Sequence, residues 1–138
     1  MVANPRRRGQ VADAAIDLLG SGGGRELTHR GVDRHAGLPL GTCANYFPTR
    51  AALLEGVGER AFVLLAPDED RLDDLAAISE PQEALVAYVG YVVARLLARP
   101  ALALALVELR LDAARTPALA ERIGPFLRAG LEADVSFH

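Results

Sequence analysis

The 138-residue chain holds few side chains able to make or break covalent bonds. His29 and His35 are six positions apart, off a shared helix face, so they do not form a zinc-gripping pair, and His138 is terminal. The single Cys43 excludes an internal disulfide and a cysteine-based zinc site, and it suits a reducing cytoplasm. No Ser-His-Asp order and no pair of carboxylates in an apolar setting can be picked out, so neither an enzyme nor a cofactor is expected. The acid run Asp68, Glu69, Asp70, Asp73 and Asp74 reads as a solvated connector rather than a metal site. The residues that stand out are cations in unusual places. His29 and Arg30 follow Thr28, and Arg50 follows Thr49, each in the first turn of an expected helix. That turn favours acids by ~0.3–1 kcal/mol each, so folding alone offers no reason for the cations. A phosphate does, because exposed amides and a guanidinium together make an anion site.

The elements that must position them lie in residues 27–50, LTHRGVDRHAGLPLGTCANYFPTR. Thr28 can cap a helix, with Leu27 stapled onto Val32, and Gly37 suits its left-handed end. Pro39 fits the first turn of a second helix, which reaches Tyr46 before Phe47-Pro48 ends it. Thr49 then caps a third. Two short helices joined by a tight turn make a helix-turn-helix, whose second helix is built to enter the major groove of DNA. Within that second helix Leu40, Cys43, Ala44 and Phe47 follow the spacing of a buried stripe. Gly41, Thr42, Asn45 and Tyr46 take the other side. Asn reads adenine, Thr reaches bases or phosphates, and Gly41 allows close backbone approach.

The run GLPLGTCANYFPTRAALLEGV, preceded by an amphipathic helix, resembles the DNA-binding domain of the TetR family of bacterial transcriptional repressors. Ala36-Gly37, Gly41-Thr42, Tyr46-Phe47 and Thr49-Arg50 match the family pattern in order. The likeness is tight over residues 10–59 and extends beyond only as helical layout. It implies a DNA-facing arc that also takes in Leu40 and Ala44, in disagreement with the helical wheel. It departs from the family at Ala44, where many members carry a Tyr that contacts the backbone. It departs again at Pro39, which replaces the usual polar cap. Cys43 reads as a small buried residue, not an oxidant sensor.

Charge is divided along the chain. Residues 1–50 carry seven Arg against four acids, and residues 51–138 carry eight Arg against fourteen, a basic head on an acidic body. That division fits a protein touching DNA at one end. Residues 1–5 are expected to be disordered, and Arg6, Arg7 and Arg8 to form a basic arm reaching phosphate or the minor groove. A first helix over residues 9–19 buries Val11, Ala15, Leu18 and Leu19, and residues 20–24 form a flexible link. Neither a signal peptide nor a membrane span is read, the most apolar run (residues 84–94) being too short.

The fourth helix, residues 50–66, turns Leu53, Leu54, Val57, Ala61, Leu64 and Leu65 inward, and a short helical turn follows around residues 72–77. Ser79-Glu80-Pro81-Gln82 reads as a capping box for a fifth helix to Ala98, burying Leu85, Tyr88, Val89, Val92, Leu96 and Leu97. A sixth runs from Pro100 to Ala114. A seventh starts at Thr116-Pro117, turns Leu119, Ile123, Phe126, Leu127 and Leu131 inward, and should kink or split at Pro125.

The fold expected is therefore all-α: a three-helix DNA-binding head over residues 1–48 and a helical ligand-binding and dimerisation body over residues 49–138. By resemblance the body encloses a pocket for an unknown small apolar ligand, with Phe62, Tyr88, Tyr91, Leu106, Arg110 and Phe126 as candidate lining. The DNA-binding candidates are Arg6, Arg7, Arg8, Thr28, His29, Arg30, Leu40, Gly41, Thr42, Asn45, Tyr46 and Arg50. Family members usually continue with two further helices that build the homodimer, so the body is expected to be truncated. The partners implied are double-stranded operator DNA and a second copy of the chain, without a membrane. An interaction module that keeps the fold without reading DNA is the alternative.

Overall fold

The computed structural model describes residues 4–136, and all regular structure among them is helical. In order the helices are α1 (Pro5–Gly22), α2 (His29–Ala36), α3 (Thr42–Tyr46), α4 (Arg50–Leu64), α5 (Glu69–Ala76), α6 (Pro81–Leu97), α7 (Pro100–Arg115) and α8 (Pro117–Ser136). Residues 1–3, part of the stretch expected to be disordered, and His138 lie outside the described residues.

α1 is longer than its apolar spacing suggests. Asn4 Oδ1 accepts the Arg7 amide at 3.1 Å and Pro5 fills the first turn, so the helix starts four residues before Gly9. Arg6, Arg7 and Arg8 are therefore helical and form no loose arm. At the other end α1 runs through Gly20 to Gly22 instead of loosening into a link. Gly20 lies against α7, where a Cβ would come 2.1 Å from the Ala101 carbonyl oxygen. The glycine is there for close packing. Val11, Ala15 and Leu19 are buried as expected, and Leu18 packs at the edge of the core.

α1 packs chiefly against α7 and also against α2 and α4, while α8 closes over α4 and α7. One apolar cluster runs through all of these, from Val11 and Leu19 through Phe47, Leu53 and Val57 to Leu102, Leu109 and Ile123. α5 extends the short helical turn expected around residues 72–77 back to Glu69, capped by Asp68 Oδ1 on the Asp70 amide at 3.1 Å. α8 passes Pro125 without a break.

α6 departs most from expectation. Ser79 forms no capping box, and Glu80 precedes the helix without a side-chain cap. Of the stripe expected inside, Tyr88 is buried and Val92 and Leu96 are half-buried, but Leu85, Val89 and Leu97 are exposed. α6 is apolar on two faces, and only α5 and α7 pack against it closely, so one face turns outward with Val86 and Val93. Leu131 of α8, also expected inside, is exposed for the same want of a neighbour.

The glycine contacts make a paired test. Ala is favoured over Gly inside a helix by ~1 kcal/mol. Gly90→Ala, whose Cβ meets nothing within 4 Å, should gain up to about that amount. Gly20→Ala should instead lose about 1–3 kcal/mol, because the backbone at Ala101 must move. Urea unfolding midpoints of the two variants, shifting in opposite directions, check this.

Candidate nucleic-acid interface and ligand cavity

Local caps build the helix-turn-helix. Thr28 Oγ1 accepts the Gly31 amide at 2.9 Å, with Leu27 and Val32 both buried beside it. Gly37 closes α2 in the left-handed region (φ 65°, ψ 34°). Thr49 Oγ1 accepts the Ala52 amide at 3.0 Å and opens α4.

α3 begins later than its sequence suggests. Pro39 lies before it, in a turn where its carbonyl accepts the Thr42 amide at 3.1 Å and the Thr42 hydroxyl at 2.6 Å. Gly41, at φ 97°, is the capping residue and has no side chain to cap with. The cap comes from another helix. Asp33 of α2 is 1% exposed, and its carboxylate accepts the Gly41 amide at 2.8 Å and the Cys43 amide at 2.7 Å. Sequence reasoning missed this residue. Its only local signal is an acid eight residues ahead of a Gly-Thr that lacks a polar cap.

Because Leu40 precedes the helix, the stripe drawn through Leu40, Cys43, Ala44 and Phe47 does not exist. Cys43 and Phe47 are buried, while Leu40 is 63% exposed and Ala44 is exposed. Burial, then the Asp33 charge, pushes the Cys43 thiol up to about 12. It stays protonated. The exposed tip thus carries Leu40, Gly41, Ala44 and Asn45, with Thr42 and Tyr46 half-buried at its sides.

The cations divide into two groups. Arg50 Nη1 donates to the Leu27 carbonyl at 2.7 Å and Nη2 to the Gly24 carbonyl at 2.9 Å, with Asp112 Oδ2 at 3.9 Å. His29 Nε2 donates to the Phe47 carbonyl at 2.6 Å, a contact that fixes the proton on that nitrogen. Arg8 pairs with Glu59 at 3.1 Å and stacks 4.7 Å from the Phe47 ring centroid. For these three, folding does supply a reason. Arg6, Arg30 and the unanticipated Arg25 and Arg34 are exposed and make no ion pair among the described residues, and Arg7 is half-buried with its amide on Asn4.

A cavity of about 360 Å³ lies between α4, α6, α7 and α8, its wall completed by Leu65, Pro67 and Leu72. Phe62, Tyr88, Leu106, Arg110 and Phe126 line it, as do Arg95 and Asp134, which sequence reasoning did not nominate. Phe62 and Phe126 meet at 6.5 Å with tilted rings. Tyr91 does not line it. Its hydroxyl accepts the Asp68 amide at 2.9 Å, and its ring lies under the Arg95 guanidinium. Burial and the hydrogen bond to Asp134 push the Tyr88 phenol up to about 12. Among the described residues no cluster of three His, Cys, Asp or Glu is placed to hold a metal, and no helix is long and apolar enough to cross a membrane.

Residues 80–138 match the model of the tetracyclin repressor-like C-terminal domain. Two solved structures resemble the chain. SCO7518 of Streptomyces coelicolor A3(2), described as a transcriptional regulator, is 28% identical with a TM-score of 0.66, over 90% of this chain and 70% of that one. The multidrug binding protein EbrR, complexed with imidazole, is 27% identical with a TM-score of 0.70, over 98% of this chain and 74% of that one. No match was found among curated protein sequences.

Two outcomes follow at the start of α3. Asp33→Ala leaves two amides without their acceptor and should cost about 2–4 kcal/mol by urea unfolding, Asp33→Asn less. The Cys43 thiol is ordinary in the unfolded chain, ionising near ~8.5, so its contribution is full below that pH and falls as pH rises toward 12. Stability measured from pH 8 to pH 11 should therefore fall more steeply in the wild type than in Cys43→Ala.

Proposed function

We propose that this chain, which belongs to the TetR family of transcriptional regulators, is a repressor that binds a palindromic operator as a homodimer and lets go when a small molecule enters its cavity. The observation that carries the DNA half of this reading is the tip of α3, held out by a buried carboxylate with Leu40, Gly41, Ala44 and Asn45 exposed together. An exposed Asn reads adenine, and Leu40 and Ala44 suit thymine methyl groups. Arg30, in the first turn of α2 and without an ion pair among the described residues, is the phosphate contact, with the exposed amino end of the helix beside it. Thr28, Thr42 and Tyr46 flank the tip, and Arg6 and Arg7 sit at the start of α1. His29, Arg8 and Arg50 act chiefly by fixing the head's shape.

In this reading residues 1–48 form the head and residues 49–138 the regulatory body of a cytoplasmic protein. Pairing of two copies is supported by the outward apolar faces of α6 and α7, where Leu85, Val86, Val89, Val93, Leu104 and Val107 are exposed. The cavity touches α4 and α7, two of the helices that pack against α1, so a ligand that favours one arrangement of the body changes the spacing of two heads. EbrR's description as a multidrug binding protein supports a ligand-accepting body here.

The test is fluorescence anisotropy with duplex DNA from upstream of the chain's own gene, over a salt series. Arg30→Ala should weaken binding on all sequences and lower the salt slope by about 0.9. Asn45→Ala should cost about 1–3 kcal/mol and relax discrimination at one base pair. Arg50 is a poor probe, since its loss also frees the Leu27 and Gly24 carbonyls. Absence of any salt-dependent DNA binding would leave the interaction-module alternative in place of the repressor.

A further inference from the structure

Four polar side chains interrupt the otherwise apolar wall of the cavity: Tyr88, Arg95, Arg110 and Asp134. They are unequal in what they have left to offer. The Tyr88 hydroxyl donates to Asp134 Oδ1 at 2.5 Å, so the one carboxylate in the wall is already engaged. Neither guanidinium forms an ion pair among the described residues. Arg95 is laid over the Tyr91 ring at 5.1 Å, and its Nη2 is buried without a hydrogen-bond partner. A buried donor left unmet is costly, and a cationic one more so than a neutral one. The wall thus holds two cations against one acid, and its most deeply set donor lacks an acceptor.

Taking the ligand-responsive reading above as its basis, we propose that the cavity binds an amphipathic anion. The apolar body of the ligand lies among Phe62, Leu106 and Phe126, and its carboxylate or comparable acid group meets Arg95, with Arg110 adding positive charge at the exposed side. A guanidinium donates to a carboxylate through two parallel N–H groups, which fixes the orientation of the head group. A cationic amphiphile of the same length would bring its charge to the same two arginines, with only the occupied Asp134 to pair with. The volume, about 360 Å³, lies at the small end of ligand cavities and suits a single chain or ring system.

Calorimetric titration of the full chain with decanoate, decanol and decylammonium separates an acid from its neutral and cationic counterparts. Decanoate should bind about tenfold more tightly than decanol, the ratio expected of one charge-assisted hydrogen bond, and decylammonium more weakly than either. Arg95→Met keeps most of the side chain's apolar bulk. It should bring decanoate down to the affinity of decanol while leaving decanol unchanged. Arg110→Met, expected to reduce the same preference by less, serves if the first variant does not fold by circular dichroism. Decylammonium binding as tightly as decanoate, decanoate binding no tighter than decanol, or a preference unchanged in the folded variants would each overturn the assignment. Failure of the regulator reading looks different. Decanoate that binds with the expected preference but leaves the DNA complex intact would support the anion site and remove ligand-driven release.

Discussion

The carboxylate of Asp33 is a charge taken out of water, and such a group is tolerated only where its oxygens are met by donors. Here the donors are the Gly41 and Cys43 amides, at the start of a helix too short to hold its own position. Five residues make little more than one turn, so the direction of α3 is set by what grips its two ends. Asp33 grips the first, and the buried Phe47 ring anchors the second against Gly56, where a Cβ would come 2.2 Å from the ring. With both ends fixed, the outward residues of α3 form one surface. Burial, with the same charge adding to it, keeps the adjacent thiol protonated, so the helix has a chemically quiet interior.

What was legible in the sequence was local. Thr28, Gly37 and Thr49 act on groups within four residues of themselves, and their roles could be read from spacing alone. The Asp33 link could not, because it joins two helices across a turn and depends on their crossing. The start of α3 was misplaced for the same reason: Pro39 has the right backbone for a first turn, but the amide acceptor sits where Gly41 begins the helix. In α6 the period was readable and the inward side was not, since both sides are apolar and the decision belongs to its neighbours. The cavity was half legible. Tyr88 and Phe126 lie on readable inward stripes, and Phe62 and Leu106 are implied by resemblance, whereas Arg95 and Asp134 carry no mark of the wall until α6 and α8 are placed together.

The cations at the helix starts carry a second lesson. Their positions are unfavourable within their own helices, and this was read as evidence of an absent anion. For Arg50 the compensation is internal: it ties two carbonyls of the α1–α2 connection, groups that would otherwise depend on water. His29 does likewise for the carbonyl at the end of α3. Among the described residues Arg30 has no such partner, so a misplaced charge there still points to an anion from outside. A local penalty points to a partner without saying whether that partner belongs to the same chain.

The crossing of α1 and α7 at Gly20 and Ala101 brings two main chains together with no side chain between them. Side chains normally cushion helix contacts, since a rotamer change can absorb a small shear. Bare backbone has no such slack. Any sliding of α7 must carry the end of α1 with it or prise the two apart, which makes this crossing a rigid axle between the cavity wall and the first helix.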